Sequence, residues 1–475
     1  LLSCSQVLLP LISIPYISKV LHPEGVGRVS FIDSLSYCFV AIAEFGIVAY
    51  GIREIAKVRS DKNLLRKLVS ELLVLHCITS AFTLMFYGIT VLVLWSEIQD
   101  MRLVYFSGLF LLINAFACEW YFWALERFGY ITLRSFISRV SAVIALLLLV
   151  KAPEDYYIYY CIIAIAAILN LLANFIIVFR ELGFGVKNIQ WKRHIKQTMP
   201  TYLISLVYSI MLWFDNVLLS IVSTTAVVGI YALSMKMIRI CTNLFTDMFL
   251  VLYPRTANLL HQDQNKALQQ TISHSVQFIF IITIPASAGL FLLSEPLVKA
   301  LLGVQFYEVM ANLRILAVLP LVKTYSLFLN KQILMSHGKD KLTLFSLVTG
   351  SMAYIVLMLV LSYMYHARGA CYAMVLAELI ILGINYRFVR KHFPEMKIFD
   401  SASLFQSLLA SLLFVPVIWL LNMYVTSPVV VVLLSVIVCI LLYFLLQWQV
   451  MKNKLVNTLI GSAMASLKKN NANIQ

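Results

Sequence analysis

The chain has 475 residues, of which 61% are hydrophobic and 12% charged, and its mean hydropathy is +0.89. Those values exclude an ordinary soluble domain, whose helices carry a polar face. The net charge of +15 raises a nucleic-acid partner, which the placement of the charges then excludes.

Windows of about 20 residues are apolar all round, the length a helix needs to cross a bilayer core. In chain order they fall at about 1–21, 29–50, 68–95, 103–125, 131–150, 156–179, 200–222, 226–252, 272–293, 310–335, 341–364, 368–390, 404–424 and 428–447. In lipid each backbone must satisfy itself, so these are fourteen predicted helices of an all-α polytopic membrane protein. No charged leader or small-residue cleavage site precedes the first run, which is expected to be a retained helix truncated at its start. Pro10 and Pro15 predict kinks in it, and Gly25 and Gly27 predict a tight outer turn after it.

The basic residues cluster in alternate loops. Arg53, Lys57, Arg59, Lys62, Arg66 and Lys67 follow the second span, and Arg180, Lys187, Lys192, Arg193 and Lys196 follow the sixth. Arg387, Arg390, Lys391 and Lys397 follow the twelfth, whereas the intervening loops are nearly bare. That alternation places both termini in the cytoplasm. The eight cysteines fall singly in spans, with no metal or redox spacing. No phosphate loop, zinc spacing or nucleophile elbow occurs, and the outer loops are too short for a catalytic platform, so no enzyme, metal or catalytic residue is expected.

The chain matches itself at an offset of 202: Val20 with Val222, Val26 with Val228, Gly27 with Gly229 and Arg53 with Arg255. "LWSE" at 94–97 and "LLSE" at 292–295 echo one another where the third and ninth spans end. Six spans separate the copies, so both have one orientation, a parallel pseudo-repeat. The expected organisation is a six-helix lobe over 1–180, a cytoplasmic linker over 181–199, a second six-helix lobe over 200–392, an appended helix pair over 393–450 and a cytoplasmic tail over 451–475. A polar cavity between two such lobes is where a transporter holds its substrate.

The eighth span carries Lys236, Arg239, Asn243 and Asp247 in one stripe at about 100° per residue. Its repeat partner carries Ser30, Asp33, Tyr37 and Glu44. Each mid-bilayer charge costs about 2.5–3.5 kcal/mol on insertion scales, so the stripes must face protein or water. Two readings stay open: interhelical ion pairs that fix packing, or the lining of a central cavity. Glu119, Asp215, Arg314, Lys323 and Glu378 also lie within spans.

"LPLISIPYISKVLHPEGVGRVSF" followed by "FGIVAYGIREIAKVRSDK" resembles the bacterial polysaccharide-biosynthesis flippases. These are the Wzx-type lipid-linked oligosaccharide translocases of the multidrug/oligosaccharidyl-lipid/polysaccharide superfamily, with a MATE-like fold. The resemblance continues through "FDNVLL", "VGIYALSMKMIRI", "LYPRTANLL", "LRILAVLPLV" and "NKQILMSHGKDK". It implies a transporter of the bacterial inner membrane that moves an undecaprenyl-diphosphate-linked oligosaccharide to the outer leaflet by alternating access, for O-antigen, capsule or exopolysaccharide synthesis. Lys236, Arg239, Asn243, Asp215, Arg314 and Lys19 are then expected to bind substrate. Asp33, Glu44, Asp247 and Lys323 are expected in gating or coupling, with Asp33 and Lys236 at similar depth, and Arg53 and Arg255 at the cytoplasmic entrance. The chain departs from the family pattern at Lys19, where arginine is common, at His22, where glycine is common, and at Val26, where tyrosine is common. Lys19 keeps a charge without arginine's bidentate fork. Expected partners are the lipid-linked glycan, membrane lipid, a polysaccharide polymerase and other assembly proteins. No cofactor is expected beyond a H+ or Na+ coupling ion. A multidrug exporter of the same fold, a lipid II type flippase and a polytopic enzyme of glycan assembly are the competing readings.

Overall fold

The computed structural model describes residues 2–453, apart from 96, 97, 99, 186–188, 251–255, 257, 258 and 261–264, together with 457. Every regular element among the described residues is helical. These are α1 (Leu2–Glu44), α2 (Ile47–Val58), α3 (Lys62–Val93), α4 (Met101–Asn114), α5 (Glu119–Ala124), α6 (Phe128–Leu149), α7 (Tyr156–Leu182), α8 (Lys192–Val222) and α9 (Thr225–Leu250). There follow α10 (Asn265–Leu301), α11 (Glu308–Leu316), α12 (Leu319–Leu327), a π-helix (Phe328–Met335), α13 (Asp340–His392), α14 (Ser401–Leu412), α15 (Phe414–Tyr424) and α16 (Pro428–Gln449), with short 3-10 turns at Pro153–Asp155 and Val304–Phe306.

Eleven described segments are long and apolar enough to cross a membrane. Two of these, in α1 and α13, are divided at His22 and His366, and with the shorter apolar α4 the fourteen expected crossings are accounted for. Many large apolar side chains are exposed, including Leu92, Val93, Met352 and Leu412. A soluble protein would not expose so many. The chain is a multi-pass membrane protein.

Local details correct several boundaries. The second span ends at Glu44, not at 50: Phe45 (φ 46°) and Gly46 (φ 71°) are both left-handed and break the helix. Beyond them α2 is amphipathic, burying Ile47, Tyr50 and Ile55 while Arg53 and Lys57 stay exposed. The fourth span stops at Asn114 and resumes as the short α5. The expected glycine turn after the first span is not at glycine. The reversal is made by His22 (φ 55°, ψ 173°), whose α conformation is disfavoured by the following Pro23.

Gly25 and Gly27 are helical and serve packing instead. A Cβ on Gly27 would lie 1.9 Å from the Thr225 carbonyl oxygen, and one on Gly229 would lie 2.0 Å from the Pro23 carbonyl oxygen. The two glycines paired by the sequence repeat thus allow α1 and α9 to cross backbone to backbone. Between membrane helices such close approach, rather than burial from water, supplies the attraction.

Contacts divide the chain into two compact units, Leu1–Leu233 with Ile355–Ala370, and Ser234–Tyr354 with Cys371–Gln475. In the first, Trp120, Tyr121 and Phe122 of α5 pack with Tyr50, Ile55 and Leu72 under the basic loops. In the second, Phe280, Phe328, Leu329 and Val389 form one core. A satellite core of Ile281, Leu293, Phe414 and Tyr443 docks the appended pair onto α10, where the Tyr443 hydroxyl donates to the Ile281 carbonyl at 2.7 Å. Seven described cysteines are free thiols.

Candidate functional site

Within the first unit, the face of α1 that bears Asp33, Tyr37 and Glu44 is half-buried. Asp215 on α8 is 1% exposed. It accepts from the Tyr231 hydroxyl at 3.3 Å and from the Asn216 N–H at 2.8 Å, while the Asn216 amide donates to Ser34 Oγ at 2.8 Å. A buried hydroxyl chain continues inward: Ser36 Oγ lies 2.6 Å from Ser107 Oγ and 3.0 Å from the Tyr160 hydroxyl, and Tyr87 donates to Ser107 at 2.8 Å. Tyr37 stacks on Trp213 with ring centres 4.2 Å apart and meets Phe110 edge-on at 5.7 Å. Hydroxyls, carboxylates and flat aromatic faces together suit a polyhydroxylated ligand better than a purely apolar one.

Lys19 is exposed. Arg53 is exposed as well, 3.1 Å from Glu54 and 5.6 Å above the Tyr50 ring, which leaves it at the rim formed by α2. Its repeat partner Arg255 lies outside the described residues.

In the second unit, Lys236 and Arg239 are half-buried one turn apart on α9, and Asn243 and Asp247 farther along are exposed. The Arg314 guanidinium donates to Ser294 Oγ at 3.0 Å and approaches Glu295 at 3.9 Å. The Lys323 ammonium lies 3.0 Å from Glu378, whose side chain is 6% exposed. Arg314 and Lys323 therefore each have an anionic neighbour on another helix of their own unit.

Two polar clusters escape the sequence reading. Glu71 is completely buried in α3 and holds the start of α8: Arg193 donates at 2.5 Å, His194 Nε2 lies at 2.9 Å and the Gln190 N–H at 3.0 Å. His194 Nδ1 is 2.8 Å from the Tyr50 hydroxyl, which also bonds Gln197. Arg66 adds a bond to the Phe184 carbonyl at 2.5 Å. The signal for this latch is a single carboxylate in an otherwise apolar run, "VSELLVL", with a basic pair more than 120 residues later.

The second cluster is at the helix ends opposite the basic loops. Arg102 grips Asp100 from two nitrogens, Tyr156 donates to Asp100 at 2.8 Å, and Arg28 donates to the Tyr156 hydroxyl at 3.0 Å. Burial acts to raise the Asp100 carboxyl, but the hydrogen bonds from Arg102 and Tyr156 outweigh it and hold the group below the usual carboxylate range.

The relatives agree with this architecture. A putative O-antigen transporter of Shigella dysenteriae is 22% identical over 386 residues, 80% of this chain and 95% of that one. Among solved structures, the lipid II flippase MurJ in an inward closed conformation superposes with a TM-score of 0.74 at 16% identity, covering 94% of this chain and 96% of that one. An inward-facing MATE family multidrug resistance transporter gives 0.61 at 15% identity, covering 83% and 96%. At such identities the two structures establish the fold alone, which this chain shares with both. Residues 1–260 match the polysaccharide biosynthesis protein family over more than half of the sequence, and the chain belongs to that family.

Proposed function

We propose that this chain is a flippase that carries an undecaprenyl-diphosphate-linked oligosaccharide from the cytoplasmic to the outer leaflet by alternating access. The observation that carries the reading is the half-buried pair Lys236 and Arg239 on one face of α9. A diphosphate crossing a core about 30 Å thick needs compensating charge, and cations in the span supply it. The polyprenyl tail can stay in lipid, while hydroxyls and the Tyr37–Trp213 stack meet sugar rings. Arg314, Asn243, Asp215 and Lys19 complete the substrate-binding set, and Arg53 and Arg255 gather the anionic headgroup at the cytoplasmic entrance. Asp33, Glu44, Asp247 and Lys323 serve gating or coupling, with H+ or Na+ as the coupling ion.

The protein sits in the bacterial inner membrane with both termini cytoplasmic, works with a polysaccharide polymerase and other assembly proteins, and makes no covalent change in its cargo. Reporters fused after Lys62, Lys192 and Lys391 are expected in the cytoplasm and those near Asp100, Glu154 and Thr224 outside. The MATE-like fold favours one second reading, an exporter of organic cations that would use Asp33, Glu44 and Asp215.

The test is export in cells that depend on this chain. Lys236→Ala or Arg239→Ala should reduce surface glycan with the folded protein still in the membrane. Unchanged export with a lowered Tm would make these residues packing charges, and unchanged surface glycan together with an organic-cation efflux that is lost on neutralising Asp33 and Asp215 would favour the exporter.

A further inference from the structure

Beside the crossing of Gly27 and Gly229, the first unit encloses a cavity of about 250 Å³ lined by Arg28, Asp100, Ser220, Ser223, Thr224 and Thr225 over an apolar floor of Phe31, Ile32 and Leu103. It lies at the ends of α3 and α8 opposite Lys62 and Lys192, hence opposite the basic loops. Two donors in its wall are buried without a hydrogen-bond partner among the described residues, Arg28 Nε and Ser223 Oγ. Buried polar atoms are almost always paired, and a ligand that reached this wall with oxygen acceptors would complete the bonding of both.

The charge of that ligand follows from the neighbours. Asp100 is taken by Arg102 and by Tyr156, and the Tyr156 hydroxyl is itself used as an acceptor by Arg28 Nη1. One carboxylate thus stands against two guanidinium groups. Arg28 is braced at Nη1 while its Nε remains without an acceptor. The threonine and serine hydroxyls at the start of α9 add donors that rotate to suit an oxygen-rich group.

The geometry points to an oxyanion site at the outer end of the first unit, in which Arg28 Nε, Ser223 and Thr224 hold a phosphate or carboxylate group. Its role as the last contact of the substrate's diphosphate, or of an acidic sugar of the glycan, rests on the flippase reading; anion binding itself does not. Guanidinium binds phosphate and carboxylate through parallel N–H donors, which a lysine in its place would not reproduce.

The experiment uses the full chain in lipid nanodiscs carrying Thr224→Cys, an exposed position of the cavity lining, with the reaction of the native cysteines in the parent protein subtracted. The anionic reagent sulfonatoethyl methanethiosulfonate should modify this thiol about tenfold faster than its cationic trimethylammonioethyl counterpart. Pyrophosphate or glucuronate should slow the reaction. Arg28→Gln should abolish both the preference and the protection, and Arg28→Lys should keep the preference while weakening protection. Stronger protection by pyrophosphate assigns the diphosphate, and stronger protection by glucuronate assigns an acidic sugar; either supports the site. Equal rates for the two reagents with no protection, or a preference that survives Arg28→Gln in protein of unchanged Tm, would overturn it. Protection that persists although Lys236→Ala leaves export unchanged supports this site while the flippase reading fails, and absent protection with export abolished by Lys236→Ala removes the site alone.

Discussion

His22 in α1 and His366 in α13 both hold a positive φ, 55° and 52°, and each joins two membrane spans with almost no loop. What lies beyond the two bends differs. After His22 comes Pro23, a good first residue for a new helix, and Gly27 is then laid against α9, about two hundred residues away in sequence. After His366 the close approach is local: a Cβ on Gly369 would lie 1.9 Å from the carbonyl oxygen of Leu361, in the arm just before the bend. The second bend is a hairpin closed on itself. The first is half of a seam with a distant helix, and such a seam separates without unfolding either arm. Alternating access needs a separable seam at a gate and self-closed hairpins within a rigid body.

The framework behind the seam offers the largest effect. Glu71→Ala leaves His194 and Arg193 without their buried anion and should cost about 3 kcal/mol or more, read as a lower Tm in nanodiscs. If the start of α8 were fixed chiefly by apolar packing, the loss would be slight.

The glycines sharpen the comparison directly. Gly27→Ala and Gly229→Ala should each cost about 1–3 kcal/mol by overpacking against backbone. Because both changes force the same two helices apart, the double variant should cost clearly less than the sum. Gly369→Ala should destabilise comparably with no coupling to Gly229. Gly129, Gly289 and Gly383 have open space at Cβ, so alanine there should shift stability by under about 1 kcal/mol. Additive costs at 27 and 229 would break the seam.

A smaller effect is expected at the bends themselves. The backbone conformation of His22 is one that glycine adopts freely, and strain of this kind is worth about 1–3 kcal/mol. His22→Gly and His366→Gly should each therefore raise stability by about 1 kcal/mol after the added freedom of the unfolded chain is subtracted. A fall in Tm at His22 alone would mean that its side chain, not its backbone, holds the reversal.

The smallest effect is a pH dependence at the outer end. The folded Asp100 carboxyl titrates below its unfolded value. Its contribution is therefore present above about pH 4 and is lost as the pH falls through the folded pKa. The Tm of the parent should drop more between pH 5 and pH 3 than that of Asp100→Asn.

Much of this was legible in the sequence for a plain reason: spans are long, apolar and periodic, and charge alternates with side. The stretch "VLHPEGVG" was readable as a break, but glycine is the residue expected to turn, and only the carbonyl of Thr225 shows why position 27 tolerates no side chain. The left-handed conformation of Phe45 beside Gly46 has no local signal either, so the apolar run continues to 50 while the helix ends at Glu44. The role of Glu71 is not legible because its partners Arg193 and His194 lie far along the chain, a pairing that no local period encodes. Arg28 and Asp100 carry no signal in the sequence, because Tyr156, which links them, lies far along the chain. The candidate residues Lys236 and Arg239 were legible because a charge within a span is costly enough to announce itself.

That pair also carries the most direct test of the account. Vesicles containing the purified chain and an undecaprenyl-diphosphate oligosaccharide with a labelled terminal sugar are treated outside with a glycosidase that releases the label. The account predicts that the protein exposes the inner-leaflet pool as well, so that nearly all label is released. Lys236→Ala combined with Arg239→Ala should slow that exposure about tenfold, as expected for losing about 1.4 kcal/mol of charge-assisted contact. Release that stops at the outer-leaflet pool with the intact protein, under either a proton or a sodium gradient, would contradict it.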